Sequence, residues 1–260
     1  MKIVEGCKNL NQKKRFILSF IGTIIYSLAI MTPFGIGQYS VYITSYLHHF
    51  NPKVNIQMGN LIMPILILSL SLSAPFGGFL EHKFGMHLTL TINSIILEIL
   101  IFIFIYQTNI YITFLLIVLI GMSIGSVITI PGKNIFFYYP AKRGIISSLM
   151  QSIHVIMGSV IGVLGEKIIN PDKITLKENE TYYPINIAKN YITFYKITLF
   201  IIPICTLISL PFLKTYKEAN DNQHEKFRKD IDTDKTIEKE NYSKNIKAAI
   251  CNSRIWKITF

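Results

Sequence analysis

The stretch that decides the fold is Met86–Tyr106, MHLTLTINSIILEILIFIFIY, which is followed after four residues by a second apolar run, Tyr111–Gly132. Each run has the length of roughly 20 helical residues that a bilayer core of about 30 Å requires. Both runs are continuous, whereas the strands of a membrane barrel would show short alternating segments. The pair therefore predicts two neighbouring transmembrane helices.

Four further apolar stretches of similar length flank this pair. They are Phe16–Leu47, Met58–Leu80, Ile145–Glu166 and Tyr191–Leu213. Half of all residues are hydrophobic and the mean hydropathy is +0.41, which is too apolar for an ordinary soluble domain. The first stretch is far longer than a signal-peptide core and has no cleavage pattern, so we keep it as a membrane helix. The sequence predicts an all-α membrane protein with six transmembrane helices over residues 16–213.

The net charge of +11 would suit a nucleic-acid-binding protein, but its distribution indicates membrane topology instead. Basic residues are concentrated in the flank of residues 1–15, at Lys83 and over residues 133–143. The positive-inside rule places these regions, and so both termini, on the cytoplasmic side of a multi-pass integral membrane protein. No sorting or lipidation motif indicates which membrane holds it.

Polar regions complete the predicted domain organisation. Residues 1–15 form a cytoplasmic flank, and residues 214–254 form a mostly disordered cytoplasmic linker because they carry too few apolar side chains to fold alone. Residues 255–260 are expected to begin a seventh helix. Asn179 begins the sequon Asn-Glu-Thr in the fifth-to-sixth loop. The alternatives are that this sequon is glycosylated or that it occurs there by chance.

Small and polar residues recur at spacings of three and four on three of the spans. The fifth span carries Ser147, Gln151, His154, Gly158, Gly162 and Gly165; the second carries Asn60, Pro64, Ser71, Pro75 and Gly78; and the fourth carries Gly121, Gly125, Thr129 and Gly132. Such spacing places each series on one helix face. Because membrane helices pack through small residues, these faces are expected to point into the bundle.

Ionisable groups within the spans are functional candidates because they are costly in a bilayer. Glu98 and His154 are the two such groups that we single out, and Gln151 shares the stripe of His154. An ion pair with a basic group elsewhere is the alternative for Glu98. An interhelical hydrogen bond is the alternative for His154.

The first span contains Met31–Tyr39, MTPFGIGQY, in which one proline is followed by two glycines. Proline removes a backbone donor, so the stretch predicts either a plain kink or an unwound segment of the kind that forms binding sites in transporters. Tyr26, Gln38 and Tyr39 are then the polar groups expected to reach a substrate or proton pathway.

A short loop, Gly78-Phe79-Leu80-Glu81-His82-Lys83-Phe84-Gly85, is predicted between the second and third spans. Gly78 is expected to permit close packing and Gly85 a tight turn. The loop resembles the signature of the major facilitator superfamily, Gly-x-Leu-x-Asp-Arg/Lys-x-Gly. Gly78, Leu80, Lys83 and Gly85 match, whereas His82 stands where that family has Asp. The resemblance implies a charge network that latches two transporter halves, with Glu81 as the substitute acid.

A second motif joins the fourth and fifth spans. It comprises Gly121, Gly125 and Pro131, followed by Tyr139-Pro140-Ala141-Lys142-Arg143-Gly144. It is similar to the corresponding region of the oxalate/formate antiporter and monocarboxylate transporter branch. The resemblance covers residues 16–213 and implies the N-terminal six-helix bundle of a twelve-helix fold, built as a 3+3 repeat. The C-terminal half would lie beyond this sequence or be supplied by a second copy.

The resemblance implies secondary active transport of a small solute by alternating access, with a monocarboxylate or dicarboxylate as the substrate class and with proton or counter-transport coupling. The alternative is a truncated or non-transporting six-helix scaffold or receptor-like subunit. An enzyme is the least favoured class because the sequence shows no carboxylate pair, metal cluster or nucleophile constellation. The expected partners are the bilayer, the solute and a second six-helix half, with neither cofactor nor metal.

Overall fold

A computed structural model describes residues 2–136, 138–176 and 181–213, with the side chains of residues 2–13 and of Pro140 outside that description. Within these ranges the chain is helical and has no strand. Six segments are long and apolar enough to cross a membrane, which confirms the predicted all-α, multi-pass architecture. The sequon at Asn179, the linker 214–254 and residues 255–260 lie outside the described residues.

We name the six membrane segments M1 to M6. M1 comprises Lys2–Met31, a 3-10 turn Thr32–Phe34, Gly35–Gln38 and Ser40–Phe50; M2 comprises Ile56–Asn60 and Ile62–Phe84; M3 is Met86–Ile105; M4 comprises Ile110–Ile128 and Ile130–Phe136; M5 is Arg143–Ile169; and M6 comprises Ile185–Ala188 and Asn190–Phe212. The predicted ends of M3 agree with these bounds to within one residue. M1 and M2 are longer than predicted because their helices continue through the polar flanks.

The proline-glycine stretch of M1 is a local distortion and not an unwound segment. The 3-10 turn contains Pro33, but the backbone N–H of Tyr39 donates to the Gly35 carbonyl at 2.9 Å. The N–H of Ile43 in turn donates to the Tyr39 carbonyl at 3.0 Å. Because the hydrogen-bond ladder resumes at once, the plain kink is the correct alternative.

M2 and M4 form the most extensive helix contact in the bundle. A Cβ added to Gly121 would lie 2.8 Å from the Leu66 carbonyl oxygen, and one added to Gly125 would lie equally close to the Leu70 carbonyl carbon. Gly77 meets the backbone of Ser126 in the same way. M4 therefore packs through its predicted glycines, as small-residue packing in membranes requires.

The predicted stripe of M2 does not face the bundle. Asn60, Pro64, Ser71 and Pro75 are exposed, and a Cβ added to Gly78 would meet nothing within 4 Å. The buried small residues of the long M2 helix, Ile62–Phe84, are instead Ser69, Ser73 and Gly77. These three residues lie four positions apart and form one ridge that fits between the M4 glycines. The glycine that packs closely is therefore Gly77, and the expectation that Gly78 does so was wrong by one position.

The two ends of the bundle are distinct. M2 and M3 join at Gly85, whose φ of +79° favours glycine and makes the predicted tight turn. The same end holds the ring of Phe16, 4.8 Å from that of Tyr139. At the far end His48 stacks on Tyr182 at 3.8 Å. The assignment of the Gly85 end to the cytoplasm stays a prediction.

M1 packs against M5 and M6, and M3 packs against M4 and M6. M1 and M4 are the most buried of the six segments, whereas M2 and M5 are among the least buried. M5 leaves a face uncovered that carries Ser148, Gln151 and Ser152. The position of M1 against M5 determines the site described next.

Candidate functional site

A cavity of about 630 Å³ lies between M1 and M5, toward the end of the bundle opposite Gly85. It begins just beyond the M1 distortion, where Gln38, Tyr39 and Tyr42 face M5. The M5 wall contributes Ser159, Gly162, Val163 and Glu166. The M5–M6 connection closes one side with Leu176 and Tyr183. Two residues predicted from the sequence, Gln38 and Tyr39, thus share one cavity.

Tyr39 attaches M1 to M5 through glycine backbone. Its hydroxyl group donates toward two M5 carbonyl oxygens, that of Ile161 at 2.8 Å and that of Gly162 at 2.9 Å. A Cβ on Gly165 would lie 2.5 Å from the Tyr39 ring carbon that bears the hydroxyl. The predicted glycine face of M5 therefore receives a tyrosine ring and not another helix backbone.

Gln38 lies beside Tyr39 and is exposed toward the cavity. Its Nε2 donates a long hydrogen bond of 3.5 Å to the Gly158 carbonyl. A Cβ on Gly162 would come within 2.7 Å of the Gln38 side-chain amide carbon, so only glycine leaves room for this side chain. The predicted role of Gly162 in close packing is here a role in shaping the cavity wall.

The far rim of the cavity is held by a set of hydrogen bonds. Asn170 Nδ2 donates to the Tyr42 hydroxyl at 3.3 Å, and the Tyr183 backbone N–H donates to Ser45 Oγ at 3.0 Å. The rings of Tyr42 and Tyr183 lie 4.6 Å apart. A second cavity of about 380 Å³ adjoins the first through Tyr42, Val163, Glu166 and Tyr183.

The remaining predicted M5 residues do not line the cavity. Gln151 is exposed nearer the Gly85 end, on the uncovered face of the helix. His154 is only 8 % exposed and lies on the M5 face that packs into the bundle. Its Nδ1 has no hydrogen-bond partner among the described residues, so the alternative of an interhelical bond through this atom is not observed there.

A buried polar network lies deeper in the bundle. Asn93 Oδ1 of M3 accepts hydrogen bonds from Ser123 Oγ at 3.0 Å and Ser126 Oγ at 3.2 Å, both in M4. The neighbouring Ser94 Oγ accepts one from Thr206 of M6 at 3.1 Å. Tyr26 of M1 is fully buried and donates a 3.5 Å bond to the Leu90 carbonyl, so it belongs to this network and not to the cavity.

The sequence reasoning did not single out this network or Glu166. Asn93, Ser123, Ser126 and Thr206 are uncharged and belong to none of the glycine patterns. The signal was present, because an asparagine in the middle of an apolar span is itself unusual. Glu166 is the last residue of the predicted fifth span, and a carboxylate at the end of a span is not unusual.

Glu98 stands apart from both sites. It is half-buried on M3, between the exposed Ile95 and Phe102 and the buried Ser94 and Ile101. The described residues give it neither a hydrogen bond nor an ion pair. It therefore meets neither the cavity nor the polar network.

The loop motif at the Gly85 end forms an ion pair between helices. Glu81 Oε2 lies 2.7 Å from Lys133 Nζ of M4, with the two side chains 17 % and 48 % exposed. His82 and Lys83 are exposed, and the ammonium of Lys83 lies 5.3 Å from the Phe84 ring centre. Gly78 to Phe84 continue the M2 helix, so the predicted loop is reduced to Gly85. The Leu80 carbonyl accepts a bond from Thr89 across this turn.

The fourth-to-fifth motif divides between packing and surface. Gly121, Gly125 and Pro131 are buried in M4. Lys142, Arg143 and Gly144 are exposed where M5 begins, after a 3-10 turn that starts at Pro140. Basic side chains at a helix end of this kind suit the membrane surface.

No cluster of three metal-ligating side chains occurs among residues 2–136, 138–176 and 181–213. Comparison with protein-family models and with curated proteins finds no match to this chain. The geometry of the bundle and its cavity is therefore the basis for assigning a function.

Proposed function

We propose that this chain forms one six-helix half of a secondary transporter of the major facilitator type, which moves a small solute by alternating access. The cavity between M1 and M5 would be the part of the solute site that this half contributes. The single observation that carries the proposal is the pattern of helix contacts, which is the pattern expected of two three-helix repeats.

The contacts of M1–M3 and M4–M6 correspond when the two triplets are exchanged. The M2–M4 contact becomes M5–M1, the M1–M6 contact becomes M4–M3, and M3–M6 becomes itself. All of these pairs are in contact. Repeats of three helices inside each half are a general feature of this transporter architecture, so the pattern supports a 3+3 bundle.

The segments that exchange in this scheme share a second feature. M1 is interrupted at Thr32–Phe34, around Pro33, and M4 is interrupted at Thr129, two residues before Pro131. A proline-bearing distortion in each of the two segments that exchange supports a repeated three-helix unit.

The uncovered polar faces support a second six-helix partner. M2 and M5 are the two least buried segments. M2 exposes Asn60 and Ser71, and M5 exposes Gln151 and Ser152. Exposed amides in a bilayer are unfavourable unless they face water or protein. A second bundle, with an aqueous pathway between the two, would satisfy both conditions.

Uptake into vesicles tests the proposal directly. The full-length protein in proteoliposomes should accumulate at least one labelled small acid or amine above the level of empty vesicles. The Gly162→Ala variant should lower that flux, because the new methyl group displaces Gln38 into the cavity. Gly158→Ala is the matched control one helical turn earlier, where an added Cβ meets nothing within 4 Å.

Formate, lactate and oxalate are the first solutes to assay because the resemblance to the carboxylate-transporting branch names them. Flux equal to empty vesicles for every solute would contradict the proposal and favour the non-transporting scaffold. Equal loss of flux in Gly158→Ala and Gly162→Ala would show that transport does not depend on the shape of this cavity.

A further inference from the structure

The larger cavity has an unusual balance of charge. Glu166 is the one ionisable carboxylate in its described lining, and that lining includes no lysine, arginine or histidine. The side chain of Glu166 forms no ion pair with a described residue. It lines the same cavity as Tyr39 and Tyr42. A carboxylate that forms no ion pair with a described residue thus shares the cavity with two tyrosines.

Several hydrogen-bond donors of the wall are already occupied. Tyr39 donates its hydroxyl hydrogen to the M5 backbone, and Ser159 Oγ donates to the Val155 carbonyl at 2.9 Å. One of the two Gln38 amide hydrogens is directed at Gly158. The acceptors that remain for a ligand are the Glu166 carboxylate, the Gln38 amide oxygen and the M5 carbonyls next to glycines, and they stand beside the hydroxyls of Tyr42 and Tyr183. An ammonium group has three donors and no acceptor, so it complements this wall.

The aromatic lining has the same preference. Tyr39, Tyr42 and Tyr183 line one cavity, and Tyr42 lies 4.6 Å from Tyr183. Ring faces carry negative electrostatic potential and attract a nearby cation. Carboxylate, carbonyls and rings thus act in one direction.

From this arrangement we infer that the M1–M5 cavity binds the protonated amine of an organic solute, with Glu166 as the counter-ion and the tyrosines around it. The inference deepens the proposed function by naming a substrate class for that site. It replaces the carboxylate suggested by the family resemblance with an amine.

The basic groups nearby lie in the adjoining cavity. Lys167 and Lys173 line the smaller space beyond Glu166, toward the rim. Neither lines the larger cavity, and neither forms an ion pair with Glu166. If they instead made the site anion-selective, the order of ligand affinities would invert, and the experiment below detects this.

Three ligands of one shape measure the charge preference. We would titrate 2-phenylethylamine, 2-phenylethanol and phenylacetate into the full-length protein in nanodiscs at neutral pH. The amine should bind roughly tenfold more tightly than the alcohol, because one carboxylate at a half-open site contributes about that factor. Phenylacetate should bind most weakly. Equal affinity for amine and alcohol, or tightest binding of phenylacetate, would overturn the inference.

Variants then test whether Glu166 causes the preference for the amine over the alcohol. Glu166→Gln keeps the shape and should abolish the difference between amine and alcohol. Glu98→Gln, which removes a carboxylate outside the cavity, should retain it. Lys173→Gln should leave amine binding unchanged or stronger. Retention of the full amine preference by Glu166→Gln would overturn the assignment, and the ligand series on the unaltered protein stands without any variant.

Binding and flux separate this inference from the proposed function. Amine binding without uptake of any solute into proteoliposomes would refute the transporter while leaving the amine site in place. Uptake of an acid, together with no preference for the amine, would refute the amine site while supporting the transporter.

Discussion

The M2–M4 and M1–M5 interfaces occupy equivalent places in the proposed repeat, yet one is closed and the other holds a cavity. In M2–M4 both helices contribute small residues, with Gly77 of M2 and Gly121 and Gly125 of M4 against opposing backbone. In M1–M5 only M5 does so, and M1 contributes the long side chains of Gln38 and Tyr39. When only one of two helices carries small residues, these residues receive side chains of the other helix, and the two backbones stay further apart.

This difference assigns separate roles to similar glycine patterns. The M2–M4 pair is a fixed contact in which backbone meets backbone, and any added atom displaces a helix. The M1–M5 pair is adjustable because side chains can move without moving backbone. The same Gly→Ala change should therefore affect stability at one interface and ligand binding at the other.

The largest expected effect is at M2–M4. Gly125→Ala should lower the free energy of unfolding by about 3 kcal/mol, because overpacking against the Leu70 backbone cannot be relieved by side-chain rotation. Thermal unfolding in nanodiscs measures it. Gly78→Ala is the control in open space and should be neutral or slightly stabilising. Similar destabilisation by both would show that this contact is not close.

A smaller change is expected at M1–M5 from the same substitution. Gly162→Ala should destabilise by about 1 kcal/mol, since the obstacle is the movable end of Gln38. Its ligand affinity should nevertheless fall clearly, whereas Gly125→Ala should bind normally once folded. A loss of stability as large as that of Gly125→Ala would remove the contrast between the two interfaces.

Removal of one hydroxyl sharpens the account of how M1 is held. Tyr39→Phe should cost about 1 kcal/mol of unfolding free energy through the lost bonds to the Ile161 and Gly162 carbonyls. Tyr46→Phe is a suitable control because its hydroxyl forms no hydrogen bond with a described residue. Denaturant or thermal unfolding compares them, and an equal effect of the two would argue against the Tyr39 attachment.

The smallest expected effect concerns the ion pair that ties M2 to M4 at the Gly85 end. Glu81→Gln should cost about 0.5 kcal/mol or less, because Lys133 is half exposed and the pair is screened by salt. A double-mutant cycle with Lys133→Gln isolates the coupling. A coupling well above 1 kcal/mol would mean that this pair, and not the glycines, sets the M2–M4 contact.

The sequence was sufficient for the architecture but not for helix faces. Continuous apolar runs predicted all six spans, because length and hydropathy alone determine which segments cross a bilayer. The predicted M2 stripe was wrong because two series of polar residues recur at helical spacing on this helix. One series includes the exposed Asn60 and Ser71, and the other includes the buried Ser69 and Ser73. Only the partner helix determines which series is buried, and the M4 glycines select Ser69, Ser73 and Gly77.

The site was predicted in part. Gln38 and Tyr39 were identified because the proline-glycine stretch marked their helix, and the structure places both in the cavity. Tyr26, Glu98, Gln151 and His154 lie elsewhere, since a polar residue within a span carries no information about which neighbour it meets. Glu166 reaches the cavity through the register of M5 against M1, which is a tertiary property.

Cysteine accessibility tests the central contrast most directly. In the full-length protein with its native cysteines replaced by serine, Ser159→Cys would place a thiol in the M1–M5 cavity and Ser73→Cys one in the M2–M4 contact. A charged, water-soluble thiol reagent should label the Ser159→Cys variant readily, and 2-phenylethylamine should slow that labelling. The Ser73→Cys variant should remain unlabelled. Equal labelling of the two variants, or no labelling of either, would contradict an open cavity at one interface and a closed contact at the other.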